Sequence, residues 1–145
     1  MPLTAASLAG RYTHSFRNGN VAGEAYTSTD TVVIVPIDAG HAVFDIHLNF
    51  FNGHECSIGG LATLDHGTLV YRDPEATGYE GQSCELRIRR RGNRLAWDDG
   101  GTCVSYCGAR GSLRDGGLAW SSRRPISRAE RRRILRDYER NLHHP

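Results

Sequence analysis

Within this chain of 145 residues, the stretch with most capacity for chemistry is 101–113, GTCVSYCGARGSL, where Cys103 and Cys107 bracket three residues and run into Gly108, Ala109, Arg110 and Gly111. Thiols can act as nucleophiles, bind metal or oxidise to disulfides. Glycines let the backbone turn sharply, and a single arginine between them is a guanidinium on a short tether. A nucleophilic role for Cys103 or Cys107 would need a base at fixed spacing and a helix start, and neither cysteine has them. If the loop is stiff, Tyr106 and Arg110 instead form an aromatic and cationic pair suited to an interface, with Gly108, Ala109 and Gly111 shaping the turn.

The four cysteines follow the spacing C-x27-C-x18-C-x3-C. Structural zinc favours paired C-x2-C knuckles, which this spacing lacks, so oxidation to two disulfides in an oxidising compartment is the better reading. Three connectivities are possible. Proximity in sequence favours Cys103–Cys107 together with Cys56–Cys84.

Histidines and carboxylates offer a second candidate. His47 shares a strand face with Asp45 and Asn49, and His54 and Glu55 follow in the next turn, a grouping that could hold a metal or perform acid/base work. Alternation along any half-exposed strand also produces such a face. No HExxH, GxSxG, phosphate-loop or dinucleotide fingerprint is present, so neither enzyme activity nor a cofactor is expected.

Charge is uneven. All eighteen basic residues are arginine; residues 1–122 hold ten of them against thirteen acids, and residues 123–145 hold eight against three. Arg87, Arg89, Arg90, Arg91 and Arg94, with the arginine-rich tail, invite a nucleic-acid reading. Leu86 and Ile88 alternate with three of them, however, and make that run the outer side of a strand. No nucleic-acid partner is expected, while peripheral contact with an anionic surface such as lipid headgroups or cell-wall polymer stays open.

The elements that position these groups are short strands separated by turn residues, among them Asn52-Gly53, Gly92-Asn93 and Asp115-Gly116-Gly117. The clearest strand is 41–51, with Ala42, Phe44, Ile46, Leu48 and Phe50 on one face and His41, Val43, Asp45, His47 and Asn49 on a wet one. Other candidates are 11–17, 22–28, 31–37, 56–64, 68–72, 84–91, 94–98 and 117–121, with Leu86, Ile88, Leu95, Trp97, Leu118 and Trp120 pointing inward. Segment 73–83 reads as one long loop. Turn length leaves open on which face Cys56 lies. No run approaches the ~18 apolar residues a membrane helix needs. The expectation is a single all-β domain over 1–145. Residues 10–121 form an antiparallel meander closing into an up-and-down barrel of about eight strands, followed by one amphipathic helix over 127–142. Ser127 and Glu130 form a capping box, and Ile134, Leu135, Tyr138 and Leu142 fall on one stripe, so the helix should lie against the barrel or plug one end. Residues 143–145 should trail off.

Gly10-Arg11-Tyr12 opening the first strand, cysteines on the Cys56 and Cys84 strands, CGARG at Cys107–Gly111 and a terminal amphipathic helix together resemble small exported bacterial β-barrel proteins of the lysozyme-inhibitor-like and lipocalin-like kind. Leu3 to Gly10 reads like the start of a mature exported chain. The resemblance implies a periplasmic or secreted protein that blocks a peptidoglycan-degrading enzyme, as a lysozyme inhibitor or as an immunity protein against a bacterial wall hydrolase. Its lipocalin side implies an alternative, a barrel whose lumen holds a small apolar ligand against Phe44, Ile46, Leu48, Phe50 and Trp97.

Overall fold

A computed structural model describes residues 3–143. Eight strands form one antiparallel sheet in chain order: β1 (Gly10–Gly19), β2 (Ala25–Asp38), β3 (His41–Asn49), β4 (Glu55–Asp65), β5 (Thr68–Thr77), β6 (Ser83–Arg91), β7 (Arg94–Asp98) and β8 (Gly116–Ala119). The sheet curls into a nearly closed barrel. Its seam between β1 and β8 is bridged by the segment after β8, where Arg11 and Arg124 exchange two backbone hydrogen bonds of 2.9 Å. Closure removes the long exposed edges that an open sheet would carry.

Two expected strands are one. Segments 22–28 and 31–37 merge into β2, because Thr29 and Asp30 lack the positive-φ residues a turn needs, and β2 pairs with β1 from Gly10↔Ile34 to Gly19↔Ala25. The expected loop 73–83 is half strand: β5 runs on to Thr77 through an irregularity between Asp73 and Thr77, leaving a tight turn closed by Gly78 N–H donating to the Gln82 carbonyl at 2.8 Å. Between β3 and β4, Asn49 pairs with Glu55 and Leu48 with Cys56, so the five intervening residues form the turn and Cys56 faces inward. Asn52 and Gly53 supply its positive φ angles, 63° and 75°.

The interior is filled by side chains from all eight strands. Phe44, Ile46, Leu48 and Trp97 are buried among Tyr12, Ile34, Ile58, Leu69, Leu86, Ile88, Leu95 and Leu118, with Phe50 packed against that cluster. The residues expected to line a ligand lumen are therefore packed core. Trp120, expected inside, is only half buried; the guanidinium groups of Arg90, 4.2 Å away, and Arg123, 4.8 Å away, each lie over its ring.

The helix α1 (Arg128–His143) lies against the outside of the barrel and plugs neither end. Ser127 Oγ accepts the Glu130 N–H at 3.1 Å, as the cap pattern predicts. The Glu130 carboxylate does not return to the cap: it takes a 2.6 Å hydrogen bond from Arg11 Nη1 and ties α1 to β1. Ile134, with Ile126, Leu135 and Tyr138, packs on Val33, Val35 and Val43, so the outer face of β3 is dry in its middle and not uniformly wet. Leu142, assigned to the same stripe, is 59% exposed. Residues 144 and 145 lie outside the described residues.

Because Ile134 is the one buried residue of α1 among the described residues and centres this small second cluster, Ile134→Ala should lower stability by about 2–5 kcal/mol in urea denaturation. Leu142→Ala should change it by less than about 0.5 kcal/mol.

Candidate functional site

The site is built by the long connection between β7 and β8, residues 99–115. It begins with a buried carboxylate. Asp99 accepts hydrogen bonds from the backbone N–H groups of Gly101 (2.8 Å) and Cys103 (3.0 Å), and its own carbonyl accepts the Thr102 N–H and hydroxyl. A buried carboxyl group needs hydrogen-bond partners, and the backbone supplies them here. Thr102 Oγ1 in turn accepts the Glu85 N–H at 2.9 Å, which stitches the connection to β6.

The disulfides differ from the expected pairing. Cys56 is bonded to Cys107 and Cys84 to Cys103, with no free cysteine. The physical reason lies in Val104–Tyr106, a 3-10 turn in which Tyr106 N–H reaches the Cys103 carbonyl at 3.1 Å. At three residues per turn, positions four apart project in different directions, so Cys103 and Cys107 cannot meet but can each reach a different strand. The loop is thus clamped at two points, to β4 and to β6, and not closed on itself.

This clamp fills a gap in the wall. β4 and β5 pair only through Thr63↔Val70, Leu64↔Leu69 and Asp65↔Thr68, then diverge. Cys107 bridges to Cys56 on the open flank of β4, where Gly108 N–H donates to the Glu55 carbonyl at 2.7 Å. Tyr106 enters the same gap. Its hydroxyl donates to Asp73 on β5 and lies 3.2 Å from the hydroxyl of Tyr71, which donates back to it. Burial, and after it the hydrogen bond to Asp73, pushes the Tyr106 phenol well above the ordinary tyrosine range. Tyr106 therefore anchors the loop and is not the outward aromatic that the sequence suggests.

The outward groups are at the tip. Gly111 N–H closes a turn on the Gly108 carbonyl at 2.9 Å, leaving Ala109 and Arg110 exposed. Gly111 is required: a Cβ there would fall 2.8 Å from Cys56 Sγ and 3.0 Å from Cys107 Cβ, so the turn rests directly on a disulfide. The Arg110 guanidinium lies 5.1 Å from the centroid of the Phe51 ring. At the same end of the barrel stand Phe51 itself, Val21 in the β1–β2 turn and Tyr79 in the β5–β6 turn, respectively 43%, 74% and 92% exposed. The Val21 N–H is held by Asn52 Oδ1 at 3.2 Å. A cleft of about 260 Å³ separates Tyr79 from the loop, walled by Val104, Gly108 and Ala109.

Phe51 and Tyr79 were absent from the sequence candidates. Phe50-Phe51 did carry a signal, since of two adjacent aromatics at a strand end only one can face inward. Tyr79 lay within the expected 73–83 loop, an aromatic among glycines and acids.

The polar grouping on β3 is dispersed. His47 Nε2 lies 3.4 Å from Glu55 Oε1, whereas His54 packs against Gly108 of the loop. Asp45 faces α1, in a cleft of about 590 Å³ whose walls include Arg133 and Asp137 and whose floor includes Gly59 and Gly60. Burial raises the Asp45 carboxyl, partly offset by Arg133. Among the described residues no three His, Cys, Asp or Glu side chains are placed to hold a metal ion.

Fold and site together define a small, nearly closed eight-stranded antiparallel barrel with two disulfides and an external C-terminal helix, presenting one arginine on a turn braced from two strands. No protein-family model, curated protein or solved structure matches the chain.

Two measurements check this geometry. Peptides from unreduced protein should link Cys56 to Cys107 and Cys84 to Cys103, and a peptide joining Cys103 to Cys107 would refute the wedge. Tyr106→Phe should cost about 1–3 kcal/mol at neutral pH by removing the bond to Asp73. In the folded protein Tyr106 keeps its proton at pH values where the unfolded chain, with the ordinary tyrosine value of 10.0, loses it. Wild-type stability therefore falls as pH rises past about 10, and the wild-type advantage over the Phe variant should shrink there.

Proposed function

We propose that this protein is a binding protein of the periplasm or the extracellular space, and not an enzyme, that blocks a peptidoglycan-degrading enzyme with its CGARG turn. The observation that carries the reading is Arg110, exposed on a four-residue turn that sits on the Cys56–Cys107 bond and lies beside the Phe51 ring. An arginine held this way loses little conformational freedom on binding, which is where flexible side chains forfeit affinity. Glycoside hydrolases work through two carboxylates about 5–9.5 Å apart. A guanidinium presents planar paired donors that match a carboxylate, so Arg110 can enter such a cleft and occupy its acid/base pair. Phe51 and Tyr79 supply the apolar contacts, Ala109 leaves the turn slim, and Tyr106 acts at one remove by fixing the loop in the barrel wall. Two disulfides are consistent with an oxidising compartment. The target class, a lysozyme or a bacterial wall hydrolase, follows the lysozyme-inhibitor-like layout of the chain.

Hydrolysis of peptidoglycan by a lysozyme and by a panel of bacterial wall hydrolases, each with increasing amounts of this protein, is the direct test. Inhibition of at least one enzyme is expected. Arg110→Ala should raise the dissociation constant of that complex tenfold or more with an unchanged melting temperature, because the side chain packs on the surface only. Full activity of every enzyme, or inhibition indifferent to Arg110, would refute the proposal.

A further inference from the structure

A second site lies on the outer face of β6, β7 and β8, apart from the Arg110 turn. Arg87, Arg89 and Arg91 alternate along β6 with the buried Leu86 and Ile88, so all three project outward, about 7 Å from one to the next. Arg94 is the register partner of Arg91, which sets two cations directly opposite each other across the hairpin. Such a pair is destabilising unless something anionic is shared between them.

Arginines are usually neutralised by neighbours, and the chain shows both outcomes. Arg87 reaches Glu85 at 2.7 Å, and Arg90 is spent on the Gly92 carbonyl and the Trp120 ring. Arg89, Arg91 and Arg94 form no ion pair among the described residues. Two carboxylates, Asp98 and Asp115, stand on the same face beside the long loop and line its hollow together with the arginines, and Asp98 Oδ1 already accepts the N–H groups of Gly100 and Asp115.

The face is also concave. β8 contributes glycines where other strands carry side chains. Gly116 lies over the buried Trp97 indole, with a would-be Cβ 2.0 Å from its Nε1, and Gly117 lies beneath Arg94, with a would-be Cβ 3.0 Å from Nε and Nη2. Gly116 and Ala96 line a cleft of about 580 Å³ walled by the arginines and, beside the long loop, by Asp98 and Asp115, a volume in the range of small-molecule sites. Trp97 Nε1 is the one buried side-chain nitrogen or oxygen among the described residues without a hydrogen-bond partner.

We infer that this cleft binds a compact ligand carrying two or more phosphate or sulfate groups, held between Arg89, Arg91 and Arg94. The chemistry is set by what the cleft contains and lacks: guanidinium groups for oxyanions, but no exposed aromatic on which a base could stack, as single-stranded nucleic acid requires. Its concavity suits a discrete polyanion better than a flat lipid surface.

Calorimetric titration of the intact, oxidised protein with inorganic tripolyphosphate and with a polysulfated disaccharide, at about 0.15 M salt, tests the inference. At least one should bind. Arg94→Gln should raise the dissociation constant at least tenfold, and Thr68→Glu, which sets a carboxylate on the cleft wall, should abolish binding. Arg132→Gln, on the exposed side of α1, should change it less than twofold. Arg94→Gln should also raise the melting temperature of the free protein, by relieving the repulsion with Arg91, while losing the ligand-induced rise of the wild type. Equal losses for the Arg94 and Arg132 variants would mean diffuse attraction to net charge and would overturn the site. So would no binding of either probe, or binding of an oligonucleotide in their place.

Discussion

The structure depends on a break in its own wall. β4 and β5 separate after three residue pairs, and a sheet curled into a barrel cannot leave that flank of β4 without partners or core cover. The 99–115 connection supplies both. Cys56–Cys107 and the Gly108–Glu55 hydrogen bond cover the open flank, Tyr106 reaches Asp73 and Tyr71 across the gap, and Cys84–Cys103 fastens the other end of the wedge to β6. Arg110 is presented rigidly because it caps this repair, not because a small ring was closed beneath it.

Much of the barrel was legible because strand alternation is a local property. Residues 41–51 show their inner and outer faces without reference to any partner, and the Ser127 cap marks where α1 can begin. What was not legible depended on partners distant in sequence. The sulfur pairing needed the 3-10 turn at Val104–Tyr106, which has no strong local signature. Asp99 reads as one more turn residue until its carboxylate is seen to gather the backbone N–H groups of Gly101 and Cys103. Val43 reads as part of a wet face because alternation reports which side a residue is on, and only the docking of α1 decides that this side is covered. Of the candidate site, Arg110 and its glycines could be named from the sequence, whereas the aromatic neighbours Phe51 and Tyr79 come from turns that only the barrel brings to one end.

The arginines, alike in sequence, divide by what they face. Arg11 holds Glu130 and joins the helix to the first strand; Arg90 and Arg123 each lie over the Trp120 ring where the barrel seam closes. These perform the structural work that a lysine ammonium, without a flat face, does less well. Among the described residues Arg110 and the Arg89, Arg91 and Arg94 set have no carboxylate partner, and the two proposed binding sites are placed there for that reason.

The two sulfur bridges are nested, Cys84–Cys103 lying inside the span of Cys56–Cys107. A chain emerging from its N-terminus exposes Cys56 and then Cys84 before either native partner exists, so oxidation in order of appearance yields a mispaired bond. Reaching the native pairs then requires that the strands assemble before the thiols react, or that a thiolate attacks and reshuffles the first bond. Where oxidation outruns strand assembly, the yield of the native pairs is set by the disulfide-isomerase capacity of the cell that makes the protein.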